Sequence, residues 1–152
     1  MVKYPNHSIS GRPHGLRSNR YHYGMPDTAK ALPGSIAWID LTVSDAEGLR
    51  KFYEAVAGWK TSLTPMGGYS DYTMSAVGGG PVSGICHKMG VNAALPPVWM
   101  IYIAVADLEA SAASCRELGG KVIVDPQSPG HGFRYAVIQD PAGAVCALYE
   151  PA

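Results

Sequence analysis

Among the polar side chains of this 152-residue chain, Asp40 has the surroundings most suited to chemistry, because it interrupts the apolar stretch Trp38-Ile39-Asp40-Leu41. A carboxylate desolvated beside an indole has a raised pKa and can act as a general base or pair with a cationic ligand. The alternative is a structural role, in which Asp40 accepts a hydrogen bond from a neighbouring tyrosine. His131 is the second candidate. It lies in the glycine-flanked turn Pro129-Gly130-His131-Gly132, which could carry it to a cleft mouth as a base or leave it as a solvated loop residue. Three cysteines, Cys86, Cys115 and Cys146, lack CxxC spacing and read as buried thiols; only Cys86 has a basic neighbour in sequence, His87. Gly78-Gly79-Gly80-Pro81 is followed by no GK[ST] and is not a phosphate loop. No serine has the G-x-S-x-G context of a nucleophile elbow.

These side chains need a scaffold, and the composition bounds it. A chain of 152 residues with 47% hydrophobic content fills one core and is too short for two ordinary domains. The formal net charge is zero, so neither a nucleic-acid backbone nor an anionic membrane surface is an expected partner. No apolar run reaches the roughly 20 residues of a membrane helix, and no signal-peptide pattern opens the chain, so a cytoplasmic protein is expected. Residues 1–33 differ from the rest, with His7, His14, His22, four prolines and five Lys/Arg against a single Asp. They read as an N-terminal arm on a surface, their histidines solvated rather than metal-binding.

From Gly34 onward the chain repeats itself at an offset of 62, so that Ile39-Asp40-Leu41-Thr42-Val43-Ser44-Asp45 overlies Ile101-Tyr102-Ile103-Ala104-Val105-Ala106-Asp107. In each copy a strand runs into a helix. The first strand spans 35–43, and Ser44 with Glu47 forms a capping box for a helix whose face carries Leu49, Phe52, Tyr53 and Val56 and which stops at Gly58. The second strand spans 98–105, and a helix opening near Asp107 buries Leu108, Ala112, Cys115 and Leu118 before Gly119-Gly120. Three strands follow each helix, at 59–65, 70–77 and 82–87, and at 121–124, 133–139 and 144–150, separated by Gly/Pro turns. Pro96-Pro97 is the hinge between copies. The predicted fold is α+β, with two tandem β-α-β-β-β modules, 34–94 and 95–152, forming one curved mixed sheet around a cleft.

Val43-Ser44-Asp45 with Phe52-Tyr53 and Gly58-Trp59, then Val105-Ala106-Asp107, Leu118-Gly119-Gly120 and Asp140-Pro141-x-Gly143, resemble the paired-module signature of the glyoxalase/bleomycin-resistance/extradiol dioxygenase, or vicinal oxygen chelate, superfamily. The resemblance covers residues 34 to 152. Pro96-Pro97-x-Trp99-x-x-Tyr102 with Asp140-Pro141-x-Gly143-Ala144-x-x-Ala147-Leu148 is similar, more narrowly, to a glyoxalase-like subgroup loosely labelled hydroxylases. The superfamily implies a divalent cation held by His, Glu or Gln from the first and last strands of both modules. Carried over by motif offset, those positions are Trp38, Gly84, Met100 and Ala147, none of which ligates a hard or borderline cation. No metal and no other cofactor is therefore expected. His87 and Glu150 occupy matching places but fall on the opposite strand face by alternation.

Alternation also nominates the cleft lining: Trp38 and Asp40, Tyr72 and Met74, Met100 and Tyr102, Tyr135 and Gln139, and Tyr149. Such an aromatic and thioether surface suits a small hydrophobic or aromatic ligand. Three functions are compatible with it. One is a metal-independent binding protein in the manner of drug-sequestering resistance proteins. Another is an enzyme, lyase, isomerase or dioxygenase-like, using Asp40, a tyrosine or His131 for proton transfer. The third is a structural module whose cleft is filled. The resemblance also implies a homodimer, with the cleft within one chain or between two.

Overall fold

A computed structural model describes residues 31–128 and 133–151. Most of the N-terminal arm and His131 lie outside these described residues. Eight strands and two helices follow in the order β1 (Ile36–Val43), α1 (Ala46–Ala57), β2 (Lys60–Pro65), β3 (Ser70–Ser75), β4 (Pro81–His87), β5 (Trp99–Ala104), α2 (Leu108–Glu117), β6 (Lys121–Gln127), β7 (Phe133–Gln139) and β8 (Val145–Pro151). The repeat found in the sequence is thus a repeat of β-α-β-β-β units. All eight strands form one sheet in the order β2-β3-β4-β1-β5-β8-β7-β6. The halves meet where β1 and β5 pair antiparallel, and each half contains one parallel pair, β1·β4 or β5·β8. The fold is the expected α+β mixed sheet.

Local chemistry explains the helix ends. The α1 N-cap is Asp45 rather than the predicted Ser44, and its carboxylate accepts the Gly48 N–H at 2.8 Å. Glu47 is consequently not a capping-box partner: it meets Arg50, Lys51 and the Tyr72 hydroxyl, Arg50 foremost, and these hold its pKa at about 2. Gly58 closes α1 at φ 70, a conformation only glycine adopts cheaply. Asp107 caps α2 through the Ala110 N–H. β6 continues to Gln127, past the predicted end at Val124, because it is an edge strand with irregular register and so tolerates Pro126.

The sheet has one face under the helices and one face toward the cleft. Between α1 and the sheet, Ala46 of the helix and Tyr72, Met74 and Ile85 of the strands form a buried cluster joined by Leu49 and Tyr53. Leu108 of α2 does the same with Ala136 and Leu148 of the sheet. Three positions expected on the buried helical faces are not there: Phe52 and Val56 are exposed, as is Leu118, which falls on the α2 C-cap beyond the buried stripe. Phe52 stands edge-on to Tyr53, which stacks on Trp59 and accepts a hydrogen bond from the Trp99 indole. The opposite sheet face carries the largest cluster: Trp38, Leu95, Met100, Ala104, Phe133, Tyr135, Val137, Ala147 and Tyr149. No helix among the described residues is long and apolar enough to cross a membrane.

Candidate functional site

A cavity of about 410 Å³ opens on the cleft face near the seam between modules. Its floor is Asp40 and Thr42 on β1, Cys86 on β4 and Tyr102 on β5. Asp71, just inside β3, and Phe133 and Tyr135 on β7 stand on opposite sides. Met66 and Tyr69 from the β2–β3 turn and Gln127 at the end of β6 complete the walls. The fourth contribution comes from the segment between modules, where a single 3-10 turn brings Met89 to Asn92 over the rim. The same segment buries Leu95 in the cleft-face cluster. It precedes the hinge expected at Pro96-Pro97, and Gly90, at φ 55, marks its turn.

Asp40 is the most constrained group on this surface. Its Oδ1 accepts the Trp38 indole N–H at 2.5 Å. Burial pushes its pKa up to about 6, against hydrogen bonds from Trp38, Tyr102 and the Gly84 backbone, while the charge of Asp71 pushes the same way as burial. Gly84, paired with Asp40 across the parallel ladder, leaves room for that carboxylate: a Cβ there would collide with Oδ1. Near neutral pH Asp40 is therefore a poised base or a desolvated anion. Burial, then the Asp40 charge, lifts the Tyr102 hydroxyl well above the usual range, so it acts as a neutral donor. Burial likewise lifts the Cys86 thiol, which removes the case for an activated cysteine. Asp71 Oδ1 accepts the His87 backbone N–H at 2.8 Å and lies 3.0 Å from His87 Nδ1. The Gln127 side-chain amide donates to the Tyr135 hydroxyl at 2.7 Å.

Of the residues nominated from sequence, Asp40, Tyr102 and Tyr135 line the cavity. Trp38, Met100 and Tyr149 share the cleft face but are packed into the cluster behind it. Tyr72 and Met74 are a correction, since they point under α1 and leave Asp71 lining the cavity, while Thr73 on the same strand face lines a separate cavity with Ser62 and Thr64. The cause is a one-residue error of phase, and a helix resting on β3 needs the apolar half of the Asp71-Tyr72-Thr73-Met74 alternation beneath it. Gln139 is also displaced from the site; its amide donates to the Gly143 carbonyl and braces the β7–β8 turn. His131 lies outside the described residues. Thr42, Asp71, Cys86, Gln127 and Phe133 were missed. Thr42 and Cys86 could have been found from Asp40 by the two-residue period and the β1·β4 pairing, whereas Gln127 needed the tertiary fold.

The four positions carried over for a cation converge as the resemblance implies, but their chemistry does not suit one. Trp38, Met100 and Ala147 lie in one buried cluster, and Gly84 adjoins the Trp38 indole nitrogen. An indole N–H, a thioether, a methyl and a hydrogen offer no oxygen or imidazole donor. Among the described residues no three His, Cys, Asp or Glu side chains gather as a metal site. The residues present do not fit a divalent cation at the place where the superfamily would hold one. Glu150 is committed elsewhere, its carboxylate accepting the Leu108 N–H at 2.6 Å at the start of α2.

Known proteins share this architecture. A variant of methylmalonyl-CoA epimerase from Streptomyces coelicolor superposes with TM-score 0.51 at 21% identity, over 80% of this chain and 99% of that one. An Mn(II)-bound glyoxalase from Novosphingobium aromaticivorans does so with TM-score 0.50 at 17% identity, over 80% of this chain and 39% of that one. At such identities the likeness is one of fold. In sequence, the anthracycline biosynthesis protein DnrV of Streptomyces peucetius is 34% identical over 119 residues, 78% of this chain and 42% of its own length. CFP32 of Mycobacterium tuberculosis, a glyoxylase by name, is 32% identical over 128 residues, 83% of this chain and 49% of its own. The chain thus spans about half the length of the curated relatives it matches. Residues 35–148, which cover both modules as far as the middle of β8 and every described wall of the cavity, match the family described as Glyoxalase/Bleomycin resistance protein/Dioxygenase superfamily, and the chain belongs to it.

Proposed function

We propose that the chain binds a small aromatic molecule in its cleft without the help of a metal ion. One observation carries this: the cavity at the module seam is walled by Tyr69, Tyr102, Phe133 and Tyr135 around a desolvated carboxylate. Aromatic faces supply area for stacking, while Asp40, Gln127 and Asn92 supply the few polar contacts that orient a ligand. Independence from metal is supported by the donor chemistry of Trp38, Gly84, Met100 and Ala147. The relatives named for anthracycline biosynthesis are consistent with an aromatic substrate or cargo. Pairing of two chains, as the resemblance implies, is part of the proposal and is read by light scattering. A thermal-shift screen of small aromatic compounds, with elemental analysis of the same sample, tests the rest. Stabilisation by aromatic compounds with no stoichiometric metal is expected. Stoichiometric transition metal, or a screen in which no aromatic compound stabilises, contradicts it.

A second function is favoured by the state of Asp40. With a pKa of about 6 and a fixed place beside Tyr102, it can take a proton from a bound carbon or oxygen acid while the tyrosine hydroxyl steadies the resulting anion. Turnover rising with pH through about 6 and lost in Asp40→Asn would identify an enzyme.

A further inference from the structure

The charge on the cavity wall narrows the class of ligand. Two carboxylates face the space, Asp40 from the floor and Asp71 from one side, and no lysine or arginine lines it among the described residues. Asp71 is close enough for its charge to act on Asp40. Both contacts of His87 fall on the same oxygen of Asp71, and the Trp38 indole holds Asp40 by one oxygen. Both carboxylates are thus fixed by hydrogen bonds, Asp40 also from Tyr102 and the Gly84 backbone and Asp71 also from the Cys86 thiol. Around them stand the aromatic residues Tyr69, Tyr102, Phe133 and Tyr135, with Tyr102 and Tyr135 ring centroids 6.5 Å apart and Phe133 and Tyr135 6.3 Å apart. An anionic ligand would be desolvated against two like charges, which is costly. A cation would relieve their mutual repulsion and meet π faces suited to an ammonium.

We infer that the molecule bound in the cleft carries a positively charged amine on its aromatic body, held between Asp40, Asp71 and the surrounding tyrosines. This rests on the cleft being an aromatic-ligand site, and it adds a sign of charge that such a site need not have. The other titratable groups facing the two carboxylates are Cys86, Tyr69, Tyr102, Tyr135 and His87. The thiol and the three hydroxyls are raised above their ordinary range, so they stay neutral near pH 7.

Calorimetric titration of the full chain with 2-naphthylmethylamine, 2-naphthylmethanol and 2-naphthoate at pH 7.5 tests the charge directly. The amine is expected to bind about tenfold or more tightly than the alcohol, with naphthoate weakest. In Asp40→Asn and in Asp71→Asn the amine-to-alcohol ratio should fall toward one. For the unmodified protein the ratio should also shrink at pH 5, where Asp40, with its pKa of about 6, has taken up a proton while the amine stays charged. Equal affinity for amine and alcohol, or preference for naphthoate, overturns the charge assignment and leaves the aromatic site standing. Failure of all three to bind overturns both.

Discussion

The two modules have one backbone plan and opposite cleft-facing surfaces. The ladders set their equivalences: Asp40 pairs with Gly84 as Tyr102 pairs with Ala147, and Thr73 pairs with Gly84 as Val137 pairs with Ala147. Stepping two residues along each strand makes Thr42 the counterpart of Ala104, Cys86 of Tyr149 and Asp71 of Tyr135. The first module thus presents Asp, Thr, Gly, Cys, Asp and Thr, and the second Tyr, Ala, Ala, Tyr, Tyr and Val. Of these side chains in the second module, Ala104, Val137 and Ala147 are fully buried and Tyr149 nearly so, while Tyr102 and Tyr135 reach from this packed patch to the cavity. In the first they are too small and too polar to close the same space, and the cavity opens there. Duplication gave the molecule two copies of a wall, and divergence made one polar and the other aromatic and apolar, with the cavity between them.

This contrast can be broken first at its strongest point. Tyr149→Ala should cost about 3–5 kcal/mol, as large-to-small changes in a closed core do, whereas Cys86→Ala at the matching place should cost about 1 kcal/mol or less. Urea denaturation of both variants measures the difference, and similar losses would show that the two walls are equally packed. Asp40→Asn should act in the other direction. The folded state holds the Asp40 proton more tightly than an unfolded chain with pKa 3.8, so stability falls as pH rises from about 4 to about 6 and stays lower above that. Removing the charge should therefore stabilise the protein at pH 7.5 by about 1–3 kcal/mol and flatten the pH profile of unfolding between 4 and 6. A variant less stable than the parent at pH 7.5 would mean that its hydrogen bonds outweigh its burial. The smallest effect is expected on the helix face, where Phe52→Ser and Leu118→Ser should each change stability by about 0.5 kcal/mol or less.

Much of the fold was readable because repetition corrects for noise. The offset of 62 fixed two strand-helix units, and Gly58 and Asp107 marked helix ends through chemistry local to a few residues. Capping was misplaced by one residue because Ser44 and Asp45 are both good caps and only the backbone path chooses between them. The candidate site was less legible. Asp40 stood out as a charge in an apolar strand, and Tyr102 followed as its repeat. The phase of β3 did not follow, since alternation names two faces without saying which one a helix will cover. Asn92 and Gln127 reach the cavity from a linker and an edge strand, so no pattern within a single element could reveal them.

Amide chemical shifts of the isotopically labelled chain, titrated with 2-naphthylmethanol, probe the central claim most directly: that the seam between a polar and an aromatic wall is where a ligand sits. Perturbations centred on Asp40, Thr42, Tyr102, Gln127 and Tyr135 are the predicted result. Saturable binding whose perturbations centre instead on Phe52, Trp59 and Trp99, on the helix-covered side of the sheet, would contradict it.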